Sequence, residues 1–148
     1  DAELAAHPRL HVVARASGQY QREPAREAFA AILAGRAGID GVLCANDIMA
    51  IGVLDALQAA GRRAAVVGVN AIPQAIEAIA RGDMLATADF NAMHMCYLAT
   101  ECAIRHLRGE AVPAEIELPV AIVDRHNWHA WDLPYEQRAL PPLKDVVS

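Results

Sequence analysis

The chain has 148 residues, of which 55% are apolar and 21% are charged, and its formal net charge is −5. This length fits one domain with a hydrophobic core, and an acidic chain without a Lys/Arg run gives no reason to expect nucleic acid as a partner. No apolar run approaches the roughly 20 residues of a membrane-spanning helix, and residues 1–4 show neither the positive segment nor the apolar stretch of a signal peptide.

Strand and helix patterns alternate along the chain. The expected strands are residues 10–14, 42–45, 64–69, 84–88 and 116–123. The expected helices are residues 24–35, 47–60, 73–81 and 92–108, the last with an inner stripe of Met95, Leu98, Ala99, Cys102 and Ala103. Pro119 places the fifth strand at a sheet edge. The alternation predicts an α/β fold with a doubly wound parallel sheet flanked by helices, formed by residues 1–125, and an extended tail at 126–148.

The stretch 41–52 organises the rest of the chain. Its apolar strand ends at Asn46 and becomes a helix, which we expect Asp47 to cap. Gly52 lies inside this helix and predicts a close approach to the sheet. Asn46 then stands where open α/β sheets place their ligand crevice, although Asn46-Asp47 could equally be only a turn and a cap.

Polar or aromatic residues stand at four predicted strand ends: Tyr20, Asn46, Asn70 and the pair Asp89-Phe90. The carboxyl ends of parallel strands open on the same edge of a sheet. Amides that donate and accept hydrogen bonds, beside aromatic faces that cover C–H surface, suit a neutral polyhydroxyl ligand. The alternative is that these residues are ordinary loop-end residues.

Other chemistries have weaker support. The sequence contains neither the glycine-rich dinucleotide fingerprint nor a phosphate-binding loop, so no cofactor is expected. The six histidines are scattered, which argues against a metal site. The three cysteines are too few for a disulfide scaffold. A small α/β enzyme with Cys44 or Asp47 as its active group stays open as an alternative, as does an interaction domain without a small ligand.

Several segments together resemble the type I periplasmic sugar-binding proteins, the ribose- and galactose-binding class of ABC transporter receptors. The matching segments are CANDIMAIG at 44–52, ALQAAG at 56–61, VVGVN at 66–70, IARGD at 79–83 and LAT at 85–87. The resemblance covers about residues 10–123 and implies a three-layer α/β/α lobe. Two such lobes close on a sugar like a hinged clamp. The effector domains of lactose-repressor-type regulators share this fold, so a sensing domain is the close alternative.

The resemblance also implies roles for individual residues. Asn46 matches a ligand-contacting Asn, and Tyr20 matches an aromatic residue after an earlier strand. Asn70 stands where ribose-type receptors usually carry Asp, and Phe90 where they carry Gln. Arg22 matches a basic residue after the aromatic, with a structural role as the alternative. These departures favour a sugar or polyol with a more apolar face than ribose.

The match covers only the later half of such a receptor. The family places the helix at 92–108 in the other lobe, so here it must dock on the sheet, exchange with a second copy or leave apolar surface exposed. We therefore expect weak or absent sugar binding by this chain alone and a tendency to self-associate. The implied partners are the amino-terminal lobe and the membrane permease of an ABC transporter, and the implied location is the periplasm.

Overall fold

A computed structural model describes residues 6–146, apart from the side chain of Tyr135. Residues 1–4, in which we expect no signal peptide, and the last two residues of the predicted tail lie outside the described part. Within the described part, no helix combines the length and the apolar character that crossing a membrane requires.

The described elements follow the predicted order. The helices are α1 (Arg22–Gly35), α2 (Asp47–Ala59), α3 (Pro73–Arg81) and α4 (Ala92–Leu107). The strands are β1 (Gly41–Leu43), β2 (Ala65–Val69), β3 (Ala86–Asp89) and β4 (Ala121–Asp124). Three short 3-10 helices follow at Trp128–Trp131, Tyr135–Gln137 and Leu143–Asp145.

The sheet has the order β1-β2-β3-β4, which confirms the α/β class. The first three strands are parallel, but β4 runs antiparallel to β3, so the expectation of a wholly parallel sheet is wrong at this strand. Ala121 at the start of β4 pairs with Asp89 at the end of β3, because the chain leaves and re-enters the sheet at the same edge. The expected strand at 116–123 is shorter at its start and begins after Pro119, which has no N–H for the ladder.

The predicted first strand, residues 10–14, is not a strand in this structure. Its side chains are largely exposed, with Leu10 at 59% and Val12 at 51%. The segment and β1 line the same apolar groove of about 710 Å³, which Phe29 also lines. The apolar sequence supplies strand propensity, but a strand also needs ladder hydrogen bonds to a neighbouring strand, and β1 pairs with β2.

Helices α1, α2 and α3 cover one face of the sheet. Their core includes Phe29, Ala50 and Ile79, packed with Val66 of β2. Gly52 allows α2 to approach the backbone of α1 at Arg22 closely, so the close approach expected at Gly52 is to a helix and not to the sheet. The opposite sheet face is exposed or half-buried at Leu43, Val67, Val69, Ala86, Ala88 and Ile122.

Helix α4 stands apart from this core and buries only His94 and Leu98. Both residues face the tail, where Leu143 is buried as well. The predicted inner stripe is therefore wrong except at Leu98, because the helix packs on the tail and not on the sheet. An outward stripe stays exposed at Met93, Tyr97, Ile104 and Leu107.

Candidate functional site

Three of the predicted site residues stand at the carboxyl edge of the sheet, at or just beyond the ends of the three parallel strands. Asn46 lies three residues beyond Leu43, the last residue of β1, and Asn70 directly follows Val69, the last residue of β2. Asp89 is the last residue of β3, and the backbone N–H of Asn70 donates to the carbonyl oxygen of the preceding Ala88 at 2.9 Å. The end of each parallel strand therefore carries one amide or carboxylate side chain.

Asn46 is the residue that caps α2. Its Oδ1 accepts a hydrogen bond from the Met49 backbone N–H at 3.0 Å, so the expectation that Asp47 caps this helix is wrong. The amide nitrogen of Asn46 points toward the loop of Tyr20 and lies 3.5 Å from its carbonyl oxygen. Tyr20 itself has a positive φ of 56° and is 69% exposed, so its ring is available to a ligand.

Asp47 lies beneath the edge and is fully buried. Its Oδ1 accepts the Thr87 hydroxyl at 2.7 Å and its Oδ2 accepts the Ile72 N–H at 3.0 Å. Burial raises the pKa of Asp47, and the hydrogen bond from Thr87 acts in the opposite direction. Asp47 therefore fastens three segments together, and its carboxylate is enclosed by protein groups.

Cys44 is the other group considered for an enzyme. It is buried, and desolvation together with the nearby Asp47 charge raises the pKa of its thiol to about 11. A nucleophilic cysteine needs a lowered pKa and access to substrate. Cys44 has a raised pKa and is buried, so it meets neither requirement. Its environment is that of a small core residue.

The loop after β2 is held in an unusual conformation. Asn70 and Ala71 have φ values of 118° and 51°, in the left-handed region that side chains other than glycine rarely adopt. Hydrogen bonds from the Asn70 N–H to the Ala88 carbonyl at 2.9 Å and from the Ala71 N–H to the Thr87 hydroxyl at 3.3 Å hold the turn. The half-buried Asn70 thus sits on a firmly anchored loop.

Asp89 is already hydrogen-bonded within the chain. Its Oδ1 accepts the Asn91 N–H at 2.7 Å, and its Oδ2 accepts the indole N–H of Trp131 at 2.6 Å. Phe90 beside it is half-buried. Sequence reasoning did not find Trp131 as a residue of this edge, and the two tryptophans in an otherwise aromatic-poor tail were the signal that could have found it.

Arg22 is committed to the neighbouring helix. Its guanidinium donates to both carboxylate oxygens of Asp55, at 2.7 and 3.0 Å. This hydrogen bonding, together with the Asp55 charge, raises the pKa of Arg22. The contacts agree with the structural role left open for Arg22, because they join α1 to α2.

The described part of the chain contains no group of three or more His, Cys, Asp or Glu side chains placed to hold a metal ion. The edge contains amides, two aromatic rings and the buried carboxylate of Asp89.

The profile of the periplasmic binding protein domain matches residues 1–111. The chain belongs to this family. The solved structures that share its fold include a solute-binding protein of Bacillus halodurans with bound myo-inositol, at TM-score 0.84 and 26% identity. Another is a solute-binding protein of Actinobacillus succinogenes with bound D-allose, at TM-score 0.82 and 29% identity. They cover 88% and 86% of this chain, which corresponds to 46% of each of those proteins.

Curated relatives agree with the structural comparison. A D-ribose/D-allose-binding protein of Pseudomonas aeruginosa is 32% identical over 121 residues, covering 77% of this chain and 38% of the relative. A xylitol-binding protein of Mycolicibacterium smegmatis is 32% identical over 129 residues, covering 86% of this chain and 37% of the relative. The chain therefore spans less than half the length of the relatives that it matches.

Proposed function

We propose that this periplasmic binding protein domain is one lobe of the substrate-binding receptor of an ABC-type sugar transporter, which binds a monosaccharide or polyol between two lobes by hinge closure. The observation that carries the proposal is the presence of Asn46, Asn70 and Asp89 at the carboxyl edge, at or just beyond the ends of the three parallel strands. The relatives named for ribose, allose and xylitol, and the neighbours holding allose and myo-inositol, support a polyhydroxyl ligand.

The edge residues divide into two chemical groups. The Asn46 amide nitrogen, the Asn70 side chain and the remaining lone pairs of Asp89 would exchange hydrogen bonds with ligand hydroxyls. The rings of Tyr20 and Phe90 would cover the C–H face of the ligand. Arg22 would act indirectly, by holding α1 against α2 below the Tyr20 loop.

A second lobe is the partner that the exposed surfaces fit. The open sheet face around Leu43 and Ile122 and the outward stripe of α4 with Tyr97 and Leu107 are apolar and uncovered in the described structure. We propose that the amino-terminal lobe of a longer receptor covers them. The open face and α4 border the ligand edge, so one partner would complete both the core and the binding site.

The remaining assignments follow the family. We propose a binding role and not an enzymatic one, since Cys44 and Asp47 are both buried and their pKa values are raised. It would act in the periplasm and deliver its ligand to a membrane permease. We propose a boundary between lobe and tail near residue 125, where β4 ends and Asn127 accepts the Asp124 N–H in a turn.

A thermal-shift screen of the chain with pentoses, hexoses and sugar alcohols tests the proposal, because binding to the native state raises the midpoint. Asn46→Ser keeps the helix cap but removes the amide, and Asn70→Gly keeps the positive φ but removes the side chain. Gln58→Ala, an amide removed from the far end of α2, is the matched control. We expect at least one ligand to raise the unfolding midpoint of the parent chain and of Gln58→Ala, but not that of the two edge variants. A rise in the midpoint that survives in both edge variants would contradict the proposal.

A further inference from the structure

The tail links two parts of the molecule that otherwise have little contact. At one end Trp131 donates its indole N–H to Asp89, and Arg138 donates to the carbonyl oxygens of Ala71 and Trp131, both at 3.2 Å. These contacts lie at the carboxyl ends of β2 and β3. Trp128 anchors the same stretch by packing against both hydrophobic clusters of the lobe.

The other end of the tail holds α4. The His94 Nε2 lies 2.7 Å from the Pro141 carbonyl oxygen, which can only accept, so this nitrogen carries the proton and donates. Glu101 accepts the Leu143 N–H at 3.0 Å. Leu98 and Leu143 are both almost completely buried where the helix meets the tail. On α4 itself, His94, Leu98 and Glu101 are spaced by four and three residues, which places them on one side of the helix.

Asp89 is the point at which these two sets of contacts meet. The residue ends β3, and two residues later Asn91 adopts a left-handed φ of 51° and caps α4 by accepting the His94 N–H. The Asp89 carboxylate binds the Asn91 N–H with one oxygen and the Trp131 indole with the other. The Asp89 carboxylate thus fixes the direction in which α4 leaves the sheet, and the same carboxylate is held by Trp131 of the tail.

We propose that Trp131 is a positioning residue, through which the tail sets the orientation of Asp89 at the ligand edge and the angle of α4. The indole takes one lone pair of Asp89 Oδ2 and leaves the others for ligand hydroxyls. Movement of α4 is then coupled to the geometry of the edge. The link to ligand rests on the proposed function, but the coupling of Trp131 to α4 does not.

Amide hydrogen exchange of the full chain without ligand tests this coupling. Trp131→Phe keeps an aromatic ring but removes the donor, and Trp128→Phe is the matched control in the same 3-10 helix. Loss of a hydrogen bond to a charged group corresponds to an increase of about tenfold or more in local opening. We expect this increase in exchange at residues 92–105 and at 89–91 in Trp131→Phe only, whereas Trp128→Phe affects α3.

A second pair of variants tests the other end of the tail. Gln places an amide donor near the position of the histidine Nε2, so His94→Gln should keep the slow exchange of α4, and His94→Leu should lose it. A change below twofold at α4 in Trp131→Phe, or an equal increase over the whole chain in both tryptophan variants, would overturn the proposal. Because no ligand is present, this outcome is independent of whether the chain binds a sugar.

Discussion

The Thr87 hydroxyl donates a hydrogen bond of 2.7 Å to the Asp47 carboxylate, joining β3 to the first turn of α2 across 40 positions of sequence. Both side chains are buried, at 1% and 0% exposure. The second Asp47 oxygen holds the Ile72 N–H, just beyond the left-handed turn at Asn70. One carboxylate thus fixes the relative positions of the three strand ends that form the candidate site.

Substitution Asp47→Asn should destabilise the chain by about 2 kcal/mol, because the amide nitrogen would face a buried donor and leave it unsatisfied. Urea unfolding measures the change. Asp55→Asn on the same helix is the control, and removing its exposed ion pair with Arg22 should cost less than about 1 kcal/mol. Equal effects of the two substitutions would show that Asp47 does not hold the strand ends together.

Glu101 should make the contact between α4 and the tail sensitive to acid. The Leu143 N–H, followed by Arg105, lowers the pKa of Glu101 below its ordinary value of 4.5. A carboxylate with a lowered folded pKa stabilises the native state above its unfolded pKa, and this contribution is lost as the pH falls through the folded pKa. The stability difference between the parent chain and Glu101→Gln should therefore be present at pH 7 and shrink below about pH 4.5. A difference that grows on acidification would contradict this account.

The three cysteines should react with a thiol reagent at different rates. Cys96 is exposed, Cys102 is half-buried, and Cys44 is buried with a thiol pKa of about 11. At pH 8 in the native state we expect Cys96 to be labelled first and Cys44 only after unfolding. Mass spectrometry of the labelled peptides measures the order. Rapid labelling of Cys44 in the native chain would reopen the enzyme interpretation.

The exposed apolar surfaces should make the chain self-associate at high concentration. Leu43 is 81% exposed and Ile122 is 59% exposed, both on the open sheet face. Lysine at both positions should reduce association measured by sedimentation velocity, whereas lysine at Ala31, exposed on α1, should leave it unchanged. A parent chain that stays monomeric at all concentrations would contradict this expectation.

The sequence was sufficient to predict the order of the paired elements and the polar residues that follow the ends of β1 and β2, because buried strands and capped helices leave local patterns. It was insufficient at residues 10–14, because a strand forms there only if the segment lies close enough to a strand that is distant in sequence to share hydrogen bonds with it. The antiparallel direction of β4 depends on the return path of residues 108–120, which has no local signal. The hydrogen bond between Trp131 and Asp89 was not predicted, because the two residues are 42 positions apart and no local pattern connects them.

The most direct test of the account is a 1H–15N correlation spectrum of the labelled chain, titrated with D-ribose, D-allose, myo-inositol and xylitol. One lobe should bind weakly, and about 10 mM ligand would detect a Kd of about 1 mM, which corresponds to about −4 kcal/mol. The account predicts saturable shifts at the amides of Tyr20, Asn46, Asn70 and Phe90 with at least one ligand. Saturable shifts confined to other regions would contradict a sugar or polyol site at this edge.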